Sequence, residues 1–235
     1  VEPSSTISIQ VWFIREGRVM PAHRTKPKTV ATSRLALTEL VAGPSTMEAA
    51  AGVGSAVPGD TTFDLIGITN GVATVNFPAA FYVGGREIAR LRQAQVVFSL
   101  TQFPAVSRVG FQSAGEAAGS PLSRDDYKDL LPPILAISPF LGQRVSSPLT
   151  VAGTAVARES TVNIRILDAT GKELATKFAT ATCGNGCRGE YTTTIAFHQC
   201  GSEQSGTVEV YEVSGEDGSR VHTFGVPVIL AACAQ

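Results

Sequence analysis

The chain has 235 residues, 43% hydrophobic, 17% charged and 7% aromatic, with a formal net charge of -1 and a mean hydropathy of +0.14. That length suits one or two domains with cores of their own, and the balance is too apolar for a disordered tail. No apolar run approaches the roughly 18 residues that cross a bilayer. With 19 basic against 20 acidic residues there is no overall field for gripping a nucleic-acid backbone, so no nucleic-acid partner is expected.

The alternation Ile7, Ile9, Val11, Phe13 predicts a strand, with the only tryptophan, Trp12, on its other face. Glu16-Gly17 turns the chain, and residues 19–22 predict a partner strand. Ala36, Leu37, Leu40 and Val41 recur at helical spacing, with Thr29 as a candidate N-cap. Gly43-Pro44 stops that helix, and Ser45-Thr46-Met47-Glu48 carries a capping-box pattern for a short second one. Strands at 63–69 and 72–77 are joined by Asn70-Gly71, a strong two-residue hairpin signal. A helix over 85–102 places Ile88, Leu91, Gln95 and Phe98 on one face, where the Gln95 amide is expected to bond a strand end or a helix terminus. A last strand follows at 106–111. The order β-β-α-β-β-α-β predicts an α+β domain over residues 1–115, its helices packed on one sheet.

Residues 116–136 are rich in Ala, Gly, Ser and Pro and read as a linker, with Ser123-Arg124-Asp125-Asp126 capping a short helix before Pro132-Pro133. In that setting Asp125, Asp126 and Asp129 are partners of the helix dipole rather than an acid or metal cluster. From 137 to 235 short alternating segments at 149–154, 162–166, 174–178, 191–197, 207–213 and 220–230 predict an all-β antiparallel sandwich of about seven strands.

Four cysteines, Cys183, Cys187, Cys200 and Cys233, all fall in that second domain. An even number in one domain suggests disulfides, and disulfides imply an oxidising compartment outside the cytoplasm. A hairpin turn between Glu216 and Asp217 sets Val213 opposite Arg220 and Tyr211 opposite His222. The same ladder, continued, sets Cys200 opposite Cys233, with Pro227 as a place where a bulge would shift the register by one. The other pair, Cys183 and Cys187, is separated by two glycines and Asn185, which lets so small a loop close. A rival zinc site would use Cys183, Cys187, His198 and Cys200, but the spacing is not a common finger pattern and it leaves Cys233 over.

No G-x-S-x-G, G-x-G-x-x-G, Walker loop or H-E-x-x-H occurs, and Gly52-Val53-Gly54-Ser55 lacks a third glycine, so neither catalysis nor a cofactor is expected. His23, His198 and His222 have no nucleophile and carboxylate close by in sequence. One feature is lopsided: Arg15, Arg18, Arg24, Lys26 and Lys28 face the single acid Glu16. This basic hairpin could dock on anionic wall polymers or lipid headgroups. The favoured reading is a solvated hairpin whose charges keep a sheet edge from pairing.

The run from Leu40 to Glu48 through Gly43-Pro44-Ser45, then Ser55-Ala56-Val57-Pro58-Gly59, Gly71-Val72-Ala73-Thr74-Val75, and Gln95 through Thr101-Gln102-Phe103-Pro104 resemble the GerMN domain of bacterial sporulation and germination proteins. Ile137-Ser138-Pro139 and the stretch from Val145 to Ala155 resemble the immunoglobulin-like domain of bacterial spore germination. The resemblance implies an immunoglobulin-like sandwich for the second half and an exported, often lipid-anchored envelope protein. It implies no enzymatic role and brings no catalytic residue. The expected function is that of an extracytoplasmic interaction or scaffold module, with an envelope protein or a second copy as partner. Binding to wall polysaccharide or peptidoglycan is the alternative, against which the low aromatic content stands. No signal peptide is visible at Val1, and the opening Val-Glu-Pro-Ser-Ser-Thr reads as a tether left by processing or as an arbitrary boundary; a lipid anchor absent from this chain would make membrane association peripheral.

Overall fold

The computed structural model describes residues 5–184, 186–199 and 201–232. The chain divides into two compact units, residues 1–131 and 132–235. The first opens with β1 (Thr6–Arg15) and β2 (Arg18–Pro27), an antiparallel pair with Trp12 opposite Pro21. The helices α1 (Thr32–Ala42) and α2 (Thr46–Ala50) come next. Gly43 closes α1 at φ 82°, its N–H on the Leu40 carbonyl. Ser45 and Glu48 form the capping box of α2, with Glu48 N–H donating to Ser45 Oγ and Ser45 N–H to Glu48 Oε2. Thr29 does not cap α1; Ala31 holds that position, and the Thr29 hydroxyl accepts from Ala31 N–H instead.

The hairpin β3 (Asp64–Thr69) and β4 (Val72–Phe77) turns on Asn70 and Gly71, both at positive φ as a two-residue turn of this twist requires. A short 3-10 turn (Ala79–Tyr82) and α3 (Arg86–Leu100) carry the chain back to β5 (Arg108–Ser113), which lies parallel to β4; β6 (Glu116–Ala117) then pairs antiparallel with β5. A parallel pairing needs such a crossover.

The single sheet expected of this unit is instead two: β1–β2 alone, and β3-β4-β5-β6. Helix α3 supplies the physical reason. Gln102 accepts from Gln10 N–H at 2.7 Å and donates to Gln10 C=O at 2.5 Å. Ser99 Oγ accepts from Trp12 N–H at 2.9 Å, and Gln95 Nε2 donates to Trp12 C=O at 3.0 Å. Ile14 exchanges two bonds with Gly54 at 2.8 and 2.7 Å. Residues 10, 12 and 14 are the alternate positions of β1 whose peptide groups face away from β2. Their hydrogen bonds are met by side chains at i, i+4 and i+7, two on α3 and Gln102 just past its end, and by one loop glycine, so no further strand is needed there. On the opposite edge, Pro21 costs no ladder bond, because the peptide groups of its partner Trp12 also point away from the pair.

Helix α3 is buried all round from Ala94 to Leu100, whereas Ile88, expected on its apolar face, is 37% exposed. The buried half packs against β1, α1, β5 and a 3-10 helix (Arg124–Leu130). That last element corrects the linker expected over 116–136. Arg124 donates to Thr101 Oγ1 and Phe98 C=O while its guanidinium covers the rings of Trp12 and Phe98. Tyr127 is buried, and Arg90 pairs with Asp129 at 2.6 Å. The small, Pro-rich composition concealed a segment anchored by three side chains.

The second unit begins with a strand taken for linker, β7 (Ile134–Ser138), and continues through β8 (Arg144–Val145), β9 (Leu149–Ala155), β10 (Thr161–Leu167), β11 (Glu173–Thr180), β12 (Gly189–Ile195), β13 (Gln204–Val213) and β14 (Arg220–Leu230). One sheet runs β11-β10-β13-β14-β8 and the other β12-β9-β7. Val162, Ile164 and Ile166 of β10 alternate with the less buried Asn163 and Arg165, and Leu149, Val151, Gly153 and Ala155 of β9 with the less buried Thr150, Ala152 and Thr154, which is the pattern of a two-sheet immunoglobulin-like sandwich. The buried Ile134, Tyr191, Val208, Val210, Val226 and Leu230 complete its core.

Candidate functional site

Three groups of side chains were candidates for function, and tertiary structure treats each differently. The cations of the β1–β2 hairpin are drawn inward. Arg24 makes a two-pronged bond to Glu48 at 2.6 and 2.7 Å, and Lys26 pairs with Glu39 at 2.8 Å. Burial alone would raise the Glu48 carboxyl, but the Arg24 guanidinium and the Ser45 amide hold it below the usual carboxylate range. Arg18 donates to the carbonyls of Asp129 and Leu131, and burial opposes the charge of Arg15, beside Glu16. Lys28 remains exposed. The five charges lie close together in sequence, yet two of them answer acids on α1 and α2, so they do not form one outward cationic face.

Gln95 is fully buried and does more than bond a strand end. Besides Trp12 C=O, it donates to Ser55 Oγ at 3.1 Å and accepts from Ala56 N–H at 2.8 Å, tying β1 to the loop after α2. The run from Gln95 to Gln102 is thus a structural seam that substitutes for a neighbouring strand.

Cys183 and Cys187 are joined by a disulfide, Cα atoms 5.8 Å apart. Two of the four zinc ligands of the rival reading are therefore bonded to each other, and among the described residues no three His, Cys, Asp or Glu side chains are grouped to hold a metal. Cys200 and Cys233 lie outside the described residues. The described part of the β13–β14 ladder differs from the expected register. Val213 does face Arg220, but β14 bulges at His222, whose φ is 53°, and beyond it Val210 faces Phe224 and Val208 faces Val226. The shift of one residue arises at the bulge and not at Pro227, which faces Thr207 in the shifted register.

The histidines are dispersed. His23 lies half-buried on β2, where burial and then Arg24 lower its pKa. His198 lines a cavity with Arg144, Ser147 and Phe197, and His222 pairs with Glu212 at 3.2 Å. Glu212 of that contact also lines a cavity with Arg158, Glu159, Thr161, Asn163, Val213 and Gly215. Sequence reasoning missed it because its residues come from β10, β13, the turn before β10 and the loop after β13, about fifty positions apart, with no motif spacing to connect them.

Comparison with known proteins matches residues 9–119 to the family described as sporulation and spore germination and residues 134–219 to the immunoglobulin-like domain of bacterial spore germination. No curated protein matches the chain. Among solved structures, the first GerMN domain of the sporulation protein GerM from Bacillus subtilis is 25% identical, covering 50% of this chain and 95% of that one with a TM-score of 0.43. The tandem GerMN domains of the same protein are 21% identical, covering 82% of this chain and 62% of that one, with a TM-score of 0.45. No helix among the described residues is long and apolar enough to cross a membrane. Taken with the α3 seam and the two-sheet sandwich, the two family matches identify the chain as a member of the sporulation and germination families, a GerMN domain followed by an immunoglobulin-like domain of bacterial spore germination.

Proposed function

We propose that the chain is a non-enzymatic, extracytoplasmic module of the bacterial cell envelope that works through protein–protein contacts. Three facts support this. Both domains are of the germination-associated type. The Cys183–Cys187 bond suits an oxidising compartment. In the first unit Gln95, Ser99, Gln102, Arg24, Glu48 and Arg124 are engaged in holding elements together.

The observation that carries the interaction reading is the edge strand β3. It is exposed along nearly its whole length, with Ile66 at 62% and Ile68 at 40% exposure, and it ends its sheet. Exposed apolar residues on a sheet edge are features that isolated proteins usually avoid. A bulge between Leu65 and Gly67 breaks its regularity, which favours a specific protein surface over open-ended strand pairing. Sedimentation of the chain with and without Ile66→Lys/Ile68→Lys, together with proximity labelling of both forms in the native cell, tests the reading. The expected result is loss of a labelled envelope partner, or of self-association, in the double variant; unchanged labelling and sedimentation would overturn it.

A further inference from the structure

On the outward face of the larger sandwich sheet, Phe178 of β11, Asn163 of β10 and Tyr211 of β13 lie directly opposite one another in one row. Residues so paired project to the same side. Phe178 is 64% exposed, an unusual position for a large ring, whereas Tyr211 is buried beneath the guanidiniums of Arg165 and Arg220. Between them, Asn163 lines a cavity of about 470 Å³ with Arg158, Glu159, Thr161 and Glu212.

The cavity is built rather than incidental. Glu212 is held from two sides, accepting from Arg158 N–H at 3.1 Å and lying 3.2 Å from His222 Nδ1. Glu159 and Ser160 are successive left-handed residues at φ 54° and 59°, and His222, which backs Glu212, sits at 53°. Side chains disfavour that region, and it persists where the surroundings over-determine it, which is characteristic of binding sites.

The chemistry on offer is a fan of neutral and charged hydrogen-bonding groups: guanidinium and amide donors, amide and carboxylate acceptors, and a hydroxyl. Two carboxylates against one guanidinium disfavour a strong anion, and Glu212 is already engaged by the Arg158 N–H and His222, so a neutral hydrogen-bonding ligand fits better than a cation. Beside them stands an exposed aromatic face. A pyranose matches both halves, since its hydroxyls each donate and accept while its C–H face lies flat on a ring. We propose that the Asn163 cavity and Phe178 form a binding site for a neutral pyranose unit of a glycan chain. The site is independent of the β3 surface and would stand if that surface proved idle.

The test is a titration of the whole ¹⁵N-labelled chain with chitotetraose and, separately, with cellotetraose, followed by NMR. Saturable shifts at Thr161, Asn163 and Phe178 with at least one glycan are expected. Phe178→Ala and Asn163→Ala should each weaken binding about tenfold, the loss of one good contact, while an unchanged thermal midpoint shows that both variants fold. Phe178 is exposed enough for its removal to leave the core intact. Absence of saturable shifts at these residues with both glycans, or wild-type affinity in both variants, would overturn the proposal.

Discussion

Gly153 sits on β9 where β7 and β12 close in from both sides, and it leaves no space for a side chain. A methyl group there would run into the Leu135 carbonyl and come within 2.7 Å of the Tyr191 hydroxyl, which itself bonds that carbonyl at 3.1 Å. Gly153→Ala should therefore destabilise the second unit by about 3 kcal/mol, read as a shift of the urea midpoint, since backbone cannot yield as a flexible side chain does. Gln95 poses the opposite problem, a side chain whose removal strands others. Gln95→Ala leaves the buried Trp12 carbonyl and the half-buried Ala56 N–H without their bonds and should cost about 2–4 kcal/mol. At Glu48 the folded-state pKa is lowered, so its contribution is complete above the ordinary carboxylate range and is lost as pH falls through the folded value. Acid unfolding of the first unit followed by near-UV circular dichroism should accordingly be less steep below about pH 4 in Glu48→Gln than in the parent. Sequence pattern identified the capping role of Glu48, but not Arg24 as its partner, because the two meet only when β2 packs beside α2.

Elements show where periodicity succeeds and where it misleads. Alternation located β1, β4, β10 and β13 well, because each has one core-facing side and so a clean period of two. The helical period located α3 within two residues of its bounds but misassigned its face: Ile88 is exposed, and the second half is enclosed on every side with no polar face to mark it. For residues 116–131 the short helix capped at Ser123 is where the pattern put it, but reading the segment as a linker missed its packing, because a few anchors outweigh a loop-like composition. Arg124 spans that segment and α3, so Arg124→Ala should release the 3-10 helix and lower first-unit stability by about 2 kcal/mol, with hydrogen exchange rising at Tyr127 before it rises in β4. The cavity proposed to bind sugar belongs to the same class of feature: Asn163 and Glu212 gain meaning only from the pairing of β10 with β13 and from a bulge that no local signal announced.

For the whole molecule, the useful boundary follows from these anchors. A fragment of residues 1–131 is expected to fold with a cooperative transition, whereas 1–115, which lacks Arg124 and Tyr127, should unfold at a lower temperature; calorimetry of the two fragments decides this. The disulfide offers a complementary experiment. Closing the small loop between Cys183 and Cys187 is worth about 2 kcal/mol in the chain-entropy model, so Cys183→Ser/Cys187→Ser should lower the second unit's unfolding transition and leave that of the first unit unchanged.

What sequence alone determined is whatever depends on neighbours along the chain: the alternating strands, the Asn70-Gly71 turn, the Gly43 stop, the Ser45–Glu48 box, and through them the two germination-type domains. What only the tertiary structure decided is whatever depends on which distant groups share a space. The β1 edge is satisfied by a helix, not a strand; the hairpin's cations answer acids on two helices; and the β14 ladder shifts by one residue at His222. In each case local propensity permitted several outcomes, and the need to satisfy buried peptide groups and charges selected one.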